Sequence, residues 1–207
     1  GSKEPLRLMS LPGMHWQFER LVSTIHGPCD FVGFERVWGV LERGAAFMPG
    51  INLRRFQVST KCGSVDAYRT SNARWLHCQV GDFLGITRTE RGRPSHNRID
   101  GLRFAAQYKS RTAFWLDFGS QLCTETRNAL MRVQHFAMIR KREIPVAVTV
   151  LAARDQYRAD EDRIEEIKRL LSLGPWRDFM LVDWWTHAHN GNAMLMCCGA
   201  LRTRDGK

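Results

Sequence analysis

No run of apolar residues in this chain approaches the roughly 20 that a membrane-crossing helix needs, so a soluble protein with no membrane partner is expected. No secretory signal is visible in the residues given. Six cysteines (Cys29, Cys62, Cys78, Cys123, Cys197, Cys198) contain no CxxC pair, which argues against a structural zinc. Adjacent Cys197 and Cys198 suit buried thiols better than ligands, and reduced thiols favour an intracellular, cytoplasmic setting. No GxSxG, HExxH or Gly-rich phosphate loop occurs, so local pattern offers no enzyme class and no cofactor. Repeats and low-complexity runs are missing too.

What is present is basic and rich in tryptophan. The 207 residues carry a formal net charge of +10 and seven tryptophans, enough chain for one domain and a prior for phosphate-bearing partners. Gly1-Ser2 has the look of a scar left by tag removal, which leaves 3–207 as a single domain.

Residues 6–11 and 17–25 read as two short strands around a Pro12-Gly13 turn. Phe31, Phe34, Val37, Trp38 and Leu41 have helical spacing over 31–43, and Gly44 is a plausible terminator. Residues 51–58, 73–80, 102–108 and 112–118 are strand candidates, with a basic mobile loop between the second and third. A helix is expected over 121–140, a buried strand over 144–153 and the clearest helix over 161–173. Strands at 178–185 and 193–201 follow, joined by the loop THAHNGN. The pattern predicts an α+β fold, a single curved, mainly antiparallel β-sheet backed by three helices, with any ligand on the concave face.

Trp16, after the turn, is either a half-buried cover or a platform on which a base could stack. Trp38 either packs in the core with its helix or stands at the stripe's edge as an anchor for a partner. His187 and His189 form an HxH that a metal-dependent nuclease would use, but two imidazoles alone make a weak site, and no metal is assigned. Basic residues cluster at 88–98, 103–111 and 140–142, and Arg154, Arg158, Arg202 and Arg204 add to them. Any one cluster is a solvated face; together, with aromatic residues between them, they favour single-stranded RNA.

Three stretches in order, HWQFERLVSTI (15–25), FERVWGVLERGAAFMPGINLRRF (34–56) and RIEEIKRLLSLGPWRDFMLVDWWTHAH (163–189), resemble the mRNA cap-binding translation initiation factor 4E family. The first is similar to the family's Thr-Trp-Gln segment, the second to its Trp-bearing dorsal helix and Met-Pro-Gly loop, and the third to its last helix and Ser-His-Ala loop. TAFWLDF (112–118) occupies the place of the family's Arg-Trp-Leu-Ile strand. The chain is identified as a divergent paralogue, of protozoan type.

That resemblance implies a cytoplasmic translation initiation factor or regulator that binds the 7-methylguanosine cap without catalysis. A methylated, positively charged guanine would lie between two aromatic faces, Trp16 and Trp75, with Tyr68 and Tyr108 as alternatives to the second. The acid for the guanine edge is unassigned among Asp66, Asp82 and Glu90, because Leu76 follows Trp75 where the family has Glu. Arg111, Arg154 and Arg158 would neutralise the phosphates, and His187 and Asn190 would meet the next nucleotides. Trp38 and Leu130 would receive a helical peptide from a 4G-like scaffold or a repressor. Two rivals remain: a metal-dependent nucleic-acid enzyme using His187 and His189, and a scaffold of the same fold without cap binding.

Overall fold

Leu6–Ser10 form the first strand, β1, in a computed structural model that describes residues 6–60, 63–78, 80, 111–140, 143–152, 159–172 and 177–203. By packing, the chain divides into two compact units, Gly1–Ala113 and Phe114–Lys207.

In the first unit, β1 turns into a helix, α1 (Gln17–His26), where the sequence predicts a strand. The composition of 17–25 explains the difference. Strand alternation would put Arg20 between Phe18 and Val22 on one face and Glu19 beside Leu21 on the other. A 3.6-residue period instead sets Phe18 and Val22, both half-buried, on one face, while Leu21 and Ile25 stay exposed. The helix stops at Gly27 (φ 80°), whose N–H donates to Ser23 O at 3.0 Å.

The single helix expected over 31–43 is corrected as well. Cys29–Phe34 form a strand, β2, buried at all positions but Asp30, and only Trp38–Gly44 are helical (α2), followed by a short 3-10 turn at Ala45–Phe47. CDFVGF is a short apolar run, which as a fully buried strand carries no alternation, so its periodicity could not separate strand from helix. Then come β3 (Arg54–Thr60), β4 (Gly63–Arg69) and β5 (Ala73–Leu76). Within this unit the strand order is β3-β4-β5-β2-β1. β1 and β2 pair parallel (Leu8 opposite Phe31), as do β2 and β5 (Val32 opposite Arg74), while β3–β4 and β4–β5 are antiparallel.

The second unit matches expectation more closely. β6 (Arg111–Asp117), which begins just before the division, leads to α3 (Thr124–Arg140), β7 (Ile144–Leu151), α4 (Asp160–Leu171), β8 (Arg177–His189) and β9 (Asn192–Thr203). The order is β6-β7-β9-β8, with β6–β7 parallel and the other pairs antiparallel. The THAHNGN loop contracts to a turn at Asn190 and Gly191, both at positive φ, and the strands run through His187 and His189. A bulge at Val182 interrupts the β8–β9 register. Leu130, Val133, Ile167, Leu171 and Leu195 are wholly buried in this unit's core. Phe114 meets Phe136 edge to face at 5.3 Å, and Arg127 of α3 donates to Glu166 of α4 at 2.6 Å.

The expected sheet is thus wrong in kind. Three parallel pairings make the sheet mixed, and four helices rather than three occur among the described residues. None of the described helices is long and apolar enough to cross a membrane.

Candidate functional site

β1, β2 and β5 run in one direction, so their carboxyl ends share one edge of the first unit, where open parallel sheets take ligands. β1 ends at Ser10, β2 leads into Glu35, and β5 ends at Leu76. The Glu35 N–H donates to Leu76 O at 3.0 Å, which ties the ends of β2 and β5 together. Its side chain is half-buried, and Oε1 accepts the Val37 N–H at 2.8 Å, which sets the entry to α2. Ser10 is fully buried and its Oγ has no hydrogen-bond partner among the described residues, a state that costs about 1–3 kcal/mol unless a ligand answers it.

Between β1 and α1 the chain turns sharply. The Trp16 N–H donates to Gly13 O at 3.0 Å, and Trp16 enters the helix with φ 53° and ψ 35°, left-handed backbone that a bulky residue rarely adopts. The indole is fully buried and meets that of Trp75 edge to face, with centroids 5.3 Å apart and planes at 82°. Glycine makes room for the pair. A Cβ on Gly33 would stand 2.8 Å from Trp75 and 2.9 Å from Trp16, and one on Gly44 would overlap the Trp75 ring.

The residues expected to carry function are scattered. Trp16 and Trp75 offer no face to a ligand, because both are closed off and set perpendicular. Tyr68 stacks on Trp38, over which Arg55 also lies at 4.7 Å, so Trp38 is half-buried and flanked from within the unit. Leu130 is fully buried and cannot receive a partner. Asp66 is held by Arg55 (3.4 Å) and Gln57 (3.3 Å). Arg111, His187 and Asn190 are exposed. Arg154, Arg158, Tyr108, Asp82, Glu90 and the side chain of His189 lie outside the described residues, as do the segments 88–98 and 102–108. Among the described residues no group of three or more His, Cys, Asp and Glu could hold a metal ion, so the HxH nuclease alternative has no support.

Sequence reasoning missed Ser10 and Glu35. Glu35 carried a usable signal, an acid about 20 residues beyond the turn glycine of a β-α-β unit, the spacing at which such folds hold a ribose. Reading 31–43 as one helix hid it.

No family model matches the chain, and no curated protein matches its sequence. Solved structures do match. Fibrillarin in a fibrillarin/Nop5p complex aligns with a TM-score of 0.53 at 10% identity, over 95% of this chain and 72% of that one. TYW2 of M. jannaschii, in complex with AdoMet, gives 0.52 at 10% identity, over 98% and 71%. An antibiotic-related methyltransferase gives 0.50 at 11% identity, over 96% and 89%. The shared fold is the Rossmann-like one of S-adenosylmethionine-dependent methyltransferases. It overturns the 4E resemblance and, with it, cap binding, a role in translation initiation, and the capped-mRNA and 4G-like partners. The expectation of recognition without catalysis was part of that resemblance and is corrected with it. The local likeness of Trp16-Gln17 and Met48-Pro49-Gly50 misled because it attached a strand to what is α1 and a helix to what is β2.

S-adenosylmethionine, the cofactor this fold implies, presents a ribose diol and an amino-acid end. The first unit fits both demands at the carboxyl ends of its strands. Glu35 has a second carboxylate oxygen for a diol, and Ser10 has an unanswered hydroxyl. One departure stands out. The β1–α1 turn holds a single glycine, Gly13, where dinucleotide-binding folds use several for close backbone approach.

Proposed function

We propose that this chain is an S-adenosylmethionine-dependent methyltransferase acting on RNA, with residues 3–207 working as one domain. The observation that carries the reading is the parallel β5-β2-β1 array with Glu35 and the orphaned Ser10 hydroxyl at its carboxyl edge. Bound there, S-adenosylmethionine supplies an electrophilic methyl group. Glu35 would accept hydrogen bonds from the ribose hydroxyls through its second carboxylate oxygen and so orient the cofactor. Ser10 would donate a hydrogen bond to a cofactor acceptor, which would relieve the cost of its burial.

RNA as substrate is supported by the net charge of +10 and by the RNA-related description of a similar structure, a Methanococcus jannaschii fibrillarin pre-rRNA processing protein (TM-score 0.52). Exposed Arg111 of the first unit, and His187 and Asn190 of the second, are candidates for backbone contacts. A cytoplasmic setting goes with this reading and is supported by the reduced thiols of Cys29, Cys123, Cys197 and Cys198.

Isothermal titration with S-adenosylmethionine and its demethylated product tests the proposal. The wild-type chain is expected to bind both, and Glu35→Gln to bind at least tenfold more weakly while its melting temperature stays within a few degrees. Transfer of a labelled methyl group to bulk RNA should accompany binding. A well-folded wild-type chain that binds neither nucleoside ends this reading.

A further inference from the structure

β8 is the outer strand of the second unit and pairs with β9 on one side only. Hydrogen-bonding direction alternates along a strand, and two contacts fix its phase here. Ala193 O accepts the Ala152 N–H at 2.8 Å, so odd-numbered residues of β9 bond toward β7 and even-numbered ones toward β8. Met196 and Met194 lie opposite Trp185 and His187, so beyond the bulge Asp183, Trp185 and His187 spend their backbone groups on β9. Those of Trp184, Thr186 and Ala188 point to the free edge. The second contact agrees, since the Trp184 N–H donates to the Asp183 carboxylate at 2.8 Å.

Outer strands usually carry lysine or proline, which keep another chain from pairing with them. From Trp184 to Ala188 there is neither, and Trp184 and Trp185 are 37% and 43% exposed. The Asp183 carboxylate covers one outward N–H, in the place that a neighbouring strand's carbonyl would take. Residues 178–190 include two aspartates and no lysine or arginine, so this edge does not attract phosphates. Its polar groups instead complement one another about a centre. The acid Asp183 and the basic ring of His187 stand two residues either side of Trp185, and residues two apart on a strand share a face.

We propose that β8 pairs antiparallel with β8 of a second copy of this chain, about a two-fold axis at Trp185. That operation sets Trp185 opposite the partner's Trp185, and brings Asp183 opposite the partner's His187 once on each side. Trp184 falls opposite the partner's Thr186. Both have outward backbone groups, so they exchange two N–H···O=C bonds, and the Trp184 N–H passes from the carboxylate to a carbonyl. The Trp185 and Asp183 pairs are then of the kind without mutual backbone bonds, whose Cα atoms stand about 4.5 Å apart and whose side chains lie closer. Indole meets indole there, and the released Asp183 carboxylate accepts a hydrogen bond from the partner's His187. The other ring nitrogen of that histidine stays available for the RNA contact proposed above. The pairing does not depend on methyl transfer.

Sedimentation velocity of the full chain over a concentration series, without RNA or S-adenosylmethionine, tests the proposal. The wild type is expected to pass from monomer to dimer as concentration rises. Thr186→Pro removes an outward N–H that β9 does not use, so it should weaken the dimer at least tenfold while the urea midpoint holds. His187→Asp sets carboxylates face to face and should weaken it as much. Asp183→His/His187→Asp exchanges the pair and should restore association to within about threefold of the wild type. In the wild-type chain, amide hydrogen exchange over 184–186 should slow as concentration rises, which needs no variant to fold. A monomer at every concentration up to millimolar overturns the proposal. So does a dimer indifferent to Thr186→Pro, or one that the exchanged pair fails to restore, since another surface or register would then hold it. Exchange over 184–186 slowed by oligouridylate RNA but not by concentration also overturns it, and would make RNA the occupant of this edge.

Discussion

Cys123 is an exposed thiol whose carbonyl accepts the Arg127 N–H at 2.9 Å as α3 begins. Hydrogen bonding from the Thr126 side chain, 3.4 Å away, is the main cause holding it below the usual thiol range. Cys197, by contrast, is pushed up to about 12, first by burial and then by Cys198. Iodoacetamide should therefore label Cys123 ahead of the other described cysteines. Because its thiolate forms at lower pH, the labelling rate should rise at lower pH than that of a free thiol. Thr126→Val should move that profile upward, and peptide mapping across a pH series would read both effects. Residue-scale chemistry of this sort was not visible in the sequence, where Cys123 is one of six thiols without a motif.

Elements with one strong face were legible, and those without were not. α4 announced itself through leading acids, following bases and the Ile164, Ile167 and Leu171 stripe, all now buried. β7 was legible as an apolar, β-branched run, and β8 and β9 cover the expected 178–185 and 193–201 but extend through most of the expected THAHNGN loop, which contracts to Asn190-Gly191. β2 and α1 failed for the physical reasons already given, and their failure displaced the functional reading, because Glu35 follows one and Trp16 precedes the other. β4 was missed outright, since GSVDAYR has too few apolar residues to mark a face.

Two predictions belong to this scale. Gly33→Ala puts a methyl group 2.7 Å from Pro12 and against two buried indoles, so it should destabilise the chain by about 1–3 kcal/mol, measured as a lower urea midpoint. Arg127→Met removes one partner of the Glu166 carboxylate, which is 8% exposed, and because the Arg127 side chain is itself 41% exposed it should destabilise by about 1–2 kcal/mol. Restoring neutrality with Glu166→Gln in the same chain should recover part of the loss. Equal urea midpoints for the single and double variants would show that the pair does not couple α3 to α4.

For the whole molecule, the useful quantity is how binding shifts unfolding. A ligand held only by the folded state at about a hundredfold its dissociation constant adds about 2.7 kcal/mol, which for a chain of this length is about 5–10 °C. S-adenosylmethionine should raise the melting temperature of the wild type by that order and that of Glu35→Gln by much less, in a differential scanning experiment.

The contact of Gly33 and Gly44 with Trp75 ties three positions into one heritable unit. Neither glycine can gain a side chain while the indole fills the space, and the indole cannot shrink without leaving a void that only larger residues at 33 or 44 would close. Substitutions there can persist only in compensating sets. In a collection of related chains, a smaller residue at 75 should arrive together with alanine or serine at 33 or 44. Selection of suppressors of Gly33→Ala should return changes at Trp75 or Trp16 more often than at any exposed position.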